Sequence, residues 1–325
     1  MRPACTEELI VLNRSMWVAG VVALFATMPL AAQDKAKLEW KFTPGSTFYQ
    51  DLTTTTNQNM KVMGQDVSQK QTQTFYFSWT PKGDKDKDGN WTLVQKIIGV
   101  KMAITINEQT INFDSQNTGG TNSALAEFFK ALIDSEFTLT IDKSGKVTKV
   151  EGRDDFIKKL GAANQQMEPL LRKILSDEAL KQMADPTFGF VPGKEVAKGE
   201  EWTRKSELNL GPIGSYTNEY KYKYEGKEGD QQKVGVSTTL VYKTPTEGNE
   251  GLPFKITGAD LKSKDATGTI LFDEAKGRVG KLTMALKLEG SLDIEIGGTK
   301  TKVDLKQDQT TTINTSDKSP IEAKK

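Results

Sequence analysis

Leu282, Met284, Leu286, Leu288, Leu292, Ile294 and Ile296 all fall at even positions, while Lys281, Thr283, Lys287, Glu289, Ser291, Asp293 and Glu295 fall at odd ones. A period of two places the apolar set on one face of an extended strand and is incompatible with a helix. A two-residue turn at Gly290-Ser291 would set Glu289 against Leu292, a polar residue on the apolar face. One long strand with a glycine kink is therefore expected, about 50 Å at roughly 3.3 Å per residue. Gly297-Gly298 reads as the following turn, with a register that sets Val303 opposite Leu292 and Leu305 opposite Gly290. A strand with one apolar face belongs to an antiparallel sheet wetted on its other side. Such a sheet needs a cover.

The same alternation recurs upstream. Phe75, Phe77 and Trp79 share one strand face, and Val100, Met102, Ile104 and Ile106 share another. A turn at Asn107-Glu108 pairs Ile104 with Ile111 and Met102 with Phe113, which predicts a hairpin. Helical spacing appears in Leu125, Phe128, Phe129, Leu132 and Ile133, in Phe156, Ile157 and Leu160, and in Leu170, Leu171, Ile174 and Leu175. Pro169 suits a first helical turn. Asp185-Pro186 is read as the end of the helical section and residues 189–199 as a linker. The expected fold is α+β and mostly β: long, curved antiparallel sheet covered by amphipathic helices. The expected division is a region 1–32 removed on export, a β-rich half with helices at 33–188, a second β-rich half at 189–316, and a disordered tail at 317–325. The halves carry signs of duplication. Pro44 to Phe48 resembles Lys198 to Trp202, and Ile111 to Asp114 resembles Ile270 to Asp273; short strand and turn motifs also recur by chance.

Residues 16–32 read MWVAGVVALFATMPLAA. The apolar run from Trp17 to Met28 is short for a membrane span and suits the h-region of a signal peptide, with Arg14 before it and Pro29 ending it. Cleavage is expected before Gln33, although Leu30 stands where a small residue is preferred. The useful start lies near Met16 or Arg14. Cys5 precedes the apolar run, so it is not a lipid-bearing cysteine. The alternatives are a buried N-terminal helix and a retained anchor.

The chain contains no histidine, and Cys5 is its only cysteine. Imidazole acid–base chemistry, Ser-His-Asp triads, cysteine nucleophiles and His/Cys zinc sites are thereby excluded from residues 33–325. Carboxylate pairs, Ser-Lys pairs and oxygen-ligated metals survive the exclusion. Lysine plus arginine number 44 against 43 acids, which supplies no basic surface for nucleic acid. No cofactor is called for.

Asp84, Asp86 and Asp88, followed by Gly89, open like a calcium loop. The twelfth position is Gln95 where a bidentate glutamate belongs, and strands flank the segment, so a solvated hairpin turn is the preferred reading and a weak calcium site the alternative. Tyr216, Tyr220, Tyr222 and Tyr224 share a strand face, a sugar-stacking ladder if exposed and a core face otherwise. Asn90-Trp91-Thr92 matches a glycosylation triplet that recurs by chance. Asp154-Asp155 and Glu200-Glu201 are adjacent pairs and do not converge on one substrate.

The segments MEPLLRKILSDEALKQMADPTFGFVPGK, LNLGPIGSY and ATGTILFDEAKGRV resemble an uncharacterised family of exported bacterial proteins, frequent in planctomycetes and catalogued as a domain of unknown function. The resemblance implies a bacterial envelope location, periplasmic or extracellular, and carries over no functional residue. In architecture the chain also resembles periplasmic lipoprotein carriers, in which a curved antiparallel sheet wraps helices around an apolar cavity. Fold analogy of this kind is thin ground for function.

The leading expectation is an exported, non-enzymatic envelope protein binding a lipid or acyl chain between sheet and helices, with Met102, Ile104, Phe128, Phe129, Met284 and Leu286 lining the space. The partner would be lipid or another envelope protein, and no transmembrane segment is expected after residue 32. One alternative makes the same residues the dry core of a structural or interaction protein. Another is a carbohydrate-binding or carboxylate-dependent hydrolytic protein.

Overall fold

A computed structural model describes residues 34–117, 124–163, 165–246, 252 and 254–321; the readings made on residues 1–32 lie outside them. In chain order the strands are β1 (Lys35–Lys37), β2 (Phe48–Val62), β3 (Gln65–Pro81), β4 (Trp91–Ile106), β5 (Gln109–Asp114), β6 (Glu136–Ile141) and β7 (Val147–Glu151). After the helices come β8 (Glu195–Ala197), β9 (Glu201–Asn209), β10 (Ser215–Glu228), β11 (Gln231–Lys243), β12 (Lys255–Asp273), β13 (Arg278–Ile296) and β14 (Thr299–Ser316). The helices are α1 (Ala124–Leu132), α2 (Arg153–Ala163), α3 (Glu168–Ile174) and α4 (Asp177–Phe188).

The fold is mostly β. A 12-stranded antiparallel sheet runs β7-β6-β4-β3-β2-β14-β13-β12-β11-β10-β9, with β5 beside β4, and β1 pairs separately with β8. The first and last long strands meet at its centre, β14 pairing β2 from Val303↔Val62 to Ser316↔Tyr49. Residues of the first half build one wing and residues of the second half build the other. Asp34–Lys325 form one compact unit.

Period two sets the faces. β13 is one unbroken strand, and its register puts Val303 opposite Leu292 and Leu305 opposite Gly290 as the turn at Gly297-Gly298 requires. The β4–β5 hairpin pairs Ile104 with Ile111 and Met102 with Phe113. One rung crosses eight strands as Tyr224, Val234, Ile270, Leu282, Ile313, Leu52, Phe75 and Val100. This row belongs to the face turned toward the core. Bulges at Tyr76/Phe77, Ile256/Gly258 and Lys264/Thr267 bend the strands. The sheet remains open, and α4 packs against both of its edge strands, β7 and β9.

The main core is aromatic. The segment from Ala36 to Phe42 threads it with Leu38, Trp40 and Phe42 buried. Trp40 meets Phe188, Phe190 and Phe272 edge-on at 5.2, 5.6 and 5.7 Å between ring centroids, and its indole N–H donates to the Phe188 carbonyl at 2.9 Å. Those edge contacts suit the quadrupoles of the rings. A second cluster lies where α1 covers β4 and β5, with Val100, Met102 and Phe113 against Phe129 and Leu132.

Two local expectations are corrected. Asp185-Pro186 does not end the helical section, since α4 continues to Phe188 and Gly189 N–H closes it on the Asp185 carbonyl at 2.8 Å. A proline in the last turn forfeits only one ladder donor, which the packed helix tolerates. Nor is 189–199 a free linker. Phe190 and Val196 are buried, β8 lies in this stretch, and the Trp202 indole donates to the Phe190 carbonyl at 2.7 Å.

Residues 317–321, part of the tail expected to be disordered, touch the sheet at two places. Asp317 pairs with Lys276 and Arg278, and the Ile321 side chain lies over Gly99. Hydrogen bonds from Lys276 and then Arg278 hold the Asp317 carboxyl down at about 2. A depressed folded-state value contributes stability above the unfolded value of 3.8 and loses it as pH falls through about 2. Asp317→Asn is therefore expected to flatten the acid limb of the stability curve between those values. The effect is small because the carboxylate is well exposed and screened. Urea midpoints measured across that range check it, and an unchanged limb would show that the pairs contribute nothing.

Candidate functional site

The helices do not sit flush on the sheet. Between them lies an apolar cavity of about 420 Å³. Its floor is the core-facing row of β2, β3 and β14, including Leu52, Phe75, Phe77, Trp79 and Ile313. Phe75 and Phe77 stack with centroids 5.8 Å apart.

The roof is one face of α4. Leu180, Met183, Ala184 and Thr187 line the cavity and stand at i, i+3, i+4 and i+7, the spacing that puts side chains on a single helical stripe. Ser176 caps this helix, its hydroxyl accepting from Ala179 N–H at 3.1 Å. Phe156 from α2 and Leu175 beyond α3 complete the helical side. Met183 is 48% exposed and marks where the cavity meets solvent.

At the other end the lining turns polar. Gln50, Trp79 and Thr187 belong both to this cavity and to a small one of about 10 Å³, which Arg278 also lines. Gln50 is buried and donates to the Thr315 hydroxyl at 3.0 Å. Trp79 is 3% exposed, and its indole N–H is buried without a hydrogen-bond partner. Arg278 is engaged elsewhere, pairing with Asp317 and lying 4.9 Å over the Phe48 ring.

Asp185 on α4 holds the roof down. Arg204 Nη2 of β9 donates to its two carboxylate oxygens at 3.0 and 3.1 Å, and Val147 N–H of β7 donates to Oδ1 at 3.1 Å. Arg204 Nη1 adds bonds to the carbonyls of Gly189 at 2.7 Å and Ser144 at 3.1 Å. One carboxylate thus ties both sheet edges to the helix that covers the cavity.

None of the six residues expected to line the ligand space lines this cavity. Met102, Ile104, Phe128 and Phe129 come together in the second cluster, Phe129 stacking on Phe113 at 5.5 Å. Met284 packs against the aromatic core, and Leu286 is half-buried further along β13. The register explains the separation. Met102 and Met284 share a rung with Gln73, Thr54 and Thr311 between them, and Ile104 and Leu286 share the next with Gln71, Thr56 and Gln309. Three polar strands divide the two apolar groups.

Asp86 in the loop after β3 accepts from Asp88 N–H, Asn90 N–H and the Asn90 amide at 2.8–2.9 Å. Those bonds to the Asp86 carboxylate, led by Asn90, depress its pKa. The segment folds as a hairpin turn, and no group of three or more candidate ligands for a metal occurs among the described residues. Tyr222 and Tyr224 are buried, Tyr222 stacking on Trp202 at 5.6 Å and the Tyr224 hydroxyl donating to Gln232 at 2.6 Å. A larger concavity of about 780 Å³ near Gly290 is lined by Lys61, Lys262, Lys264 and Lys306 against Asp66, Asp260, Glu289 and Asp304. Its charges balance, and Lys264–Glu289 and Lys262–Asp260 pair directly at 2.6 and 3.2 Å. The apolar cavity beneath α4 is the better ligand site.

The sequence signal for α4 existed in its spacing and its Ser176 cap, but Pro186 drew the reading toward a helix end. No helix among the described residues is long and apolar enough to cross a membrane.

Among curated proteins, no sequence matches this chain. Solved structures give distant likenesses. A structure of lipovitellin, concerned with lipid–protein interactions in that protein, is 11% identical with a TM-score of 0.43, covering 88% of this chain and 27% of its own. OccK7 (OpdD) of Pseudomonas aeruginosa is 7% identical with a TM-score of 0.21, covering 84% and 99%. The translocator domain of the autotransporter NalP from Neisseria meningitidis is 9% identical with a TM-score of 0.21, covering 84% and 90%. Likenesses at this level carry no statement about function. Residues 88–279, more than half of the chain, match the model of a family of unknown function, and the chain belongs to that family, DUF6263.

Proposed function

We propose that this is an exported, non-enzymatic envelope protein that binds a hydrophobic ligand, a lipid or acyl chain, between its sheet and its helices. The observation that carries the reading is the apolar cavity of about 420 Å³ under α4. Its volume lies within the range of about 300–1,000 Å³ typical of small-molecule sites, and its composition, apolar with a few converging polar groups, is theirs too. The apolar segment before Gln33 supports the export part of the reading, and the absence of histidine weighs against catalysis.

Native mass spectrometry of protein purified from a bacterial host is expected to show a retained acyl-chain adduct that is lost after delipidation. Ala184→Phe fills the cavity from its roof. It is expected to lower the affinity of a fluorescent fatty-acid analogue at least tenfold, which corresponds to about 1.4 kcal/mol, while leaving the fold intact by circular dichroism. Equal binding by the variant and the parent would remove the cavity as the site. No binding by either would leave a structural protein with an imperfectly filled core.

A further inference from the structure

The face of the sheet that floors the cavity does not stay apolar. One rung beyond Leu52, Phe75 and Ile313 it turns to glutamine and threonine. Three successive rungs across β14, β2 and β3 read Thr311-Thr54-Gln73, Gln309-Thr56-Gln71 and Gln307-Gln58-Gln69. Rungs on one face lie about 6.6 Å apart and strands about 4.8 Å, so this grid measures roughly 13 by 10 Å. All nine side chains are half-buried. Their side-chain hydrogen bonds stay within the grid. The Gln69 amide donates to Gln71 at 3.3 Å, Gln71 to Gln73 at 3.0 Å and Gln307 to Gln309 at 3.2 Å, and the Thr54 and Thr311 hydroxyls lie 3.3 Å apart. Among the described residues, no helix or loop side chain bonds to them. Charge is absent from this face as well. The rungs continue into Met102, Ile104 and Ile106 on β4 and into Met284, Leu286 and Leu288 on β13. Lys70, Lys101, Lys287, Lys306 and Asp308 of the same strands alternate onto the opposite face.

We propose that the grid holds the uncharged, hydroxyl-rich head group of a lipid, a sugar or polyol, whose tail lies in the cavity under α4. This rests on the ligand-binding reading above and deepens it. Register supplies the continuity. Thr54, Gln73 and Thr311 directly follow Leu52, Phe75 and Ile313 on the same face, so a chain leaving the cavity along the sheet passes over the grid. Hydrogen-bonding character supplies the class. Each glutamine amide both donates and accepts, and so does each threonine hydroxyl. Sugar hydroxyls have the same double character and can engage every group in the grid. An ionised carboxylate only accepts and a phosphocholine donates nothing, so either leaves the acceptors of the grid unused. Neither finds a counter-charge on this face.

The test uses delipidated full-length chain and three probes with the same tail: dodecyl maltoside, dodecylphosphocholine and dodecanoate. Each displaces an apolar fluorophore below its micellar concentration at pH 8. Dodecyl maltoside is expected to bind about tenfold more tightly than either of the others. Gln71→Leu/Gln309→Leu removes the two amides of the middle rung at similar side-chain size. It should bring the maltoside to within about twofold of dodecanoate while leaving dodecanoate affinity unchanged. Ala184→Phe, which fills the cavity, should weaken all three probes alike. If the double variant does not fold, the side-chain amide resonances of Gln71 and Gln309 in the parent chain serve instead. They are expected to shift with dodecyl maltoside and to stay in place with dodecanoate. A maltoside preference that survives the double variant, or amide resonances that ignore the maltoside, would overturn the grid as the head-group site. Maltoside binding that survives Ala184→Phe would overturn the link between grid and cavity. Equal binding of the three probes by the parent would overturn the head-group class while leaving the cavity standing. Tighter binding of dodecanoate or dodecylphosphocholine would overturn the neutral head group. Failure of all three probes would overturn the ligand site itself.

Discussion

Asp185→Ala is expected to lower the free energy of unfolding by about 2–4 kcal/mol, more than any ordinary surface substitution. The carboxylate and its partner Arg204 keep only 16% and 20% of their side-chain surface exposed. Removing Asp185 takes from Arg204 Nη2 its carboxylate partner and from Val147 N–H its side-chain acceptor. The loss is larger than the net worth of the pair, because groups that stay behind in a poorly solvated place pay the desolvation. The double variant Asp185→Ala/Arg204→Ala is therefore expected to recover part of the loss, which a urea-denaturation cycle would measure. A change below about 1 kcal/mol for Asp185→Ala would show that the edge strands hold α4 without this carboxylate. Since α4 roofs the cavity, ligand affinity should fall alongside stability.

Gly290→Ala is the second large effect, expected at about 2–5 kcal/mol and measurable as lost soluble yield or a lower urea midpoint. Gly290 sits within β13 at φ +146°, and a Cβ built there would stand 1.8 Å from the Asp260 carbonyl oxygen of β12. That neighbour is backbone, so relief would require parting two paired strands where Leu261 opposes Gly290. Gly297→Ala is the control. Its φ of +55° carries the left-handed strain, but nothing lies within 4 Å of the new Cβ, and about 1 kcal/mol is expected. Equal costs at the two positions would mean that close approach of the backbone does not restrain residue 290.

Gly290 also shows how far local reading reaches. Alternation on both sides of it called for a kinked continuous strand, because only that arrangement keeps Leu288 and Leu292 on one face. The same reasoning supplied the registers of the hairpins at Asn107 and Gly297, where the turn and the apolar face both constrain the pairing. It could not supply β14 beside β2, since residues 303 and 62 are distant in sequence and nothing local records which strands become neighbours. The grouping of the six expected lining residues was out of reach for the same cause. Met102 and Met284 each announce an apolar face, but their separation by Gln73, Thr54 and Thr311 is a property of strand order. Leu180, Met183 and Ala184 had legible helical spacing, yet the space beneath them depends on where β3 and β14 lie.

By itself, then, the sequence determined the mostly β character, the long strands and their faces, the helical stretches and the absence of imidazole chemistry. Each of these follows from neighbours a few residues apart or from composition. The tertiary structure alone decided that β7 and β9, the two edges of one open sheet, meet at α4, and that Asp185 pins them there. It also decided that a void bounded by Leu52, Phe77 and Ala184 remains beneath the helix. Both depend on how strongly a bulged sheet curls, which sums small twists over many strand pairs and is written at no single position in the chain.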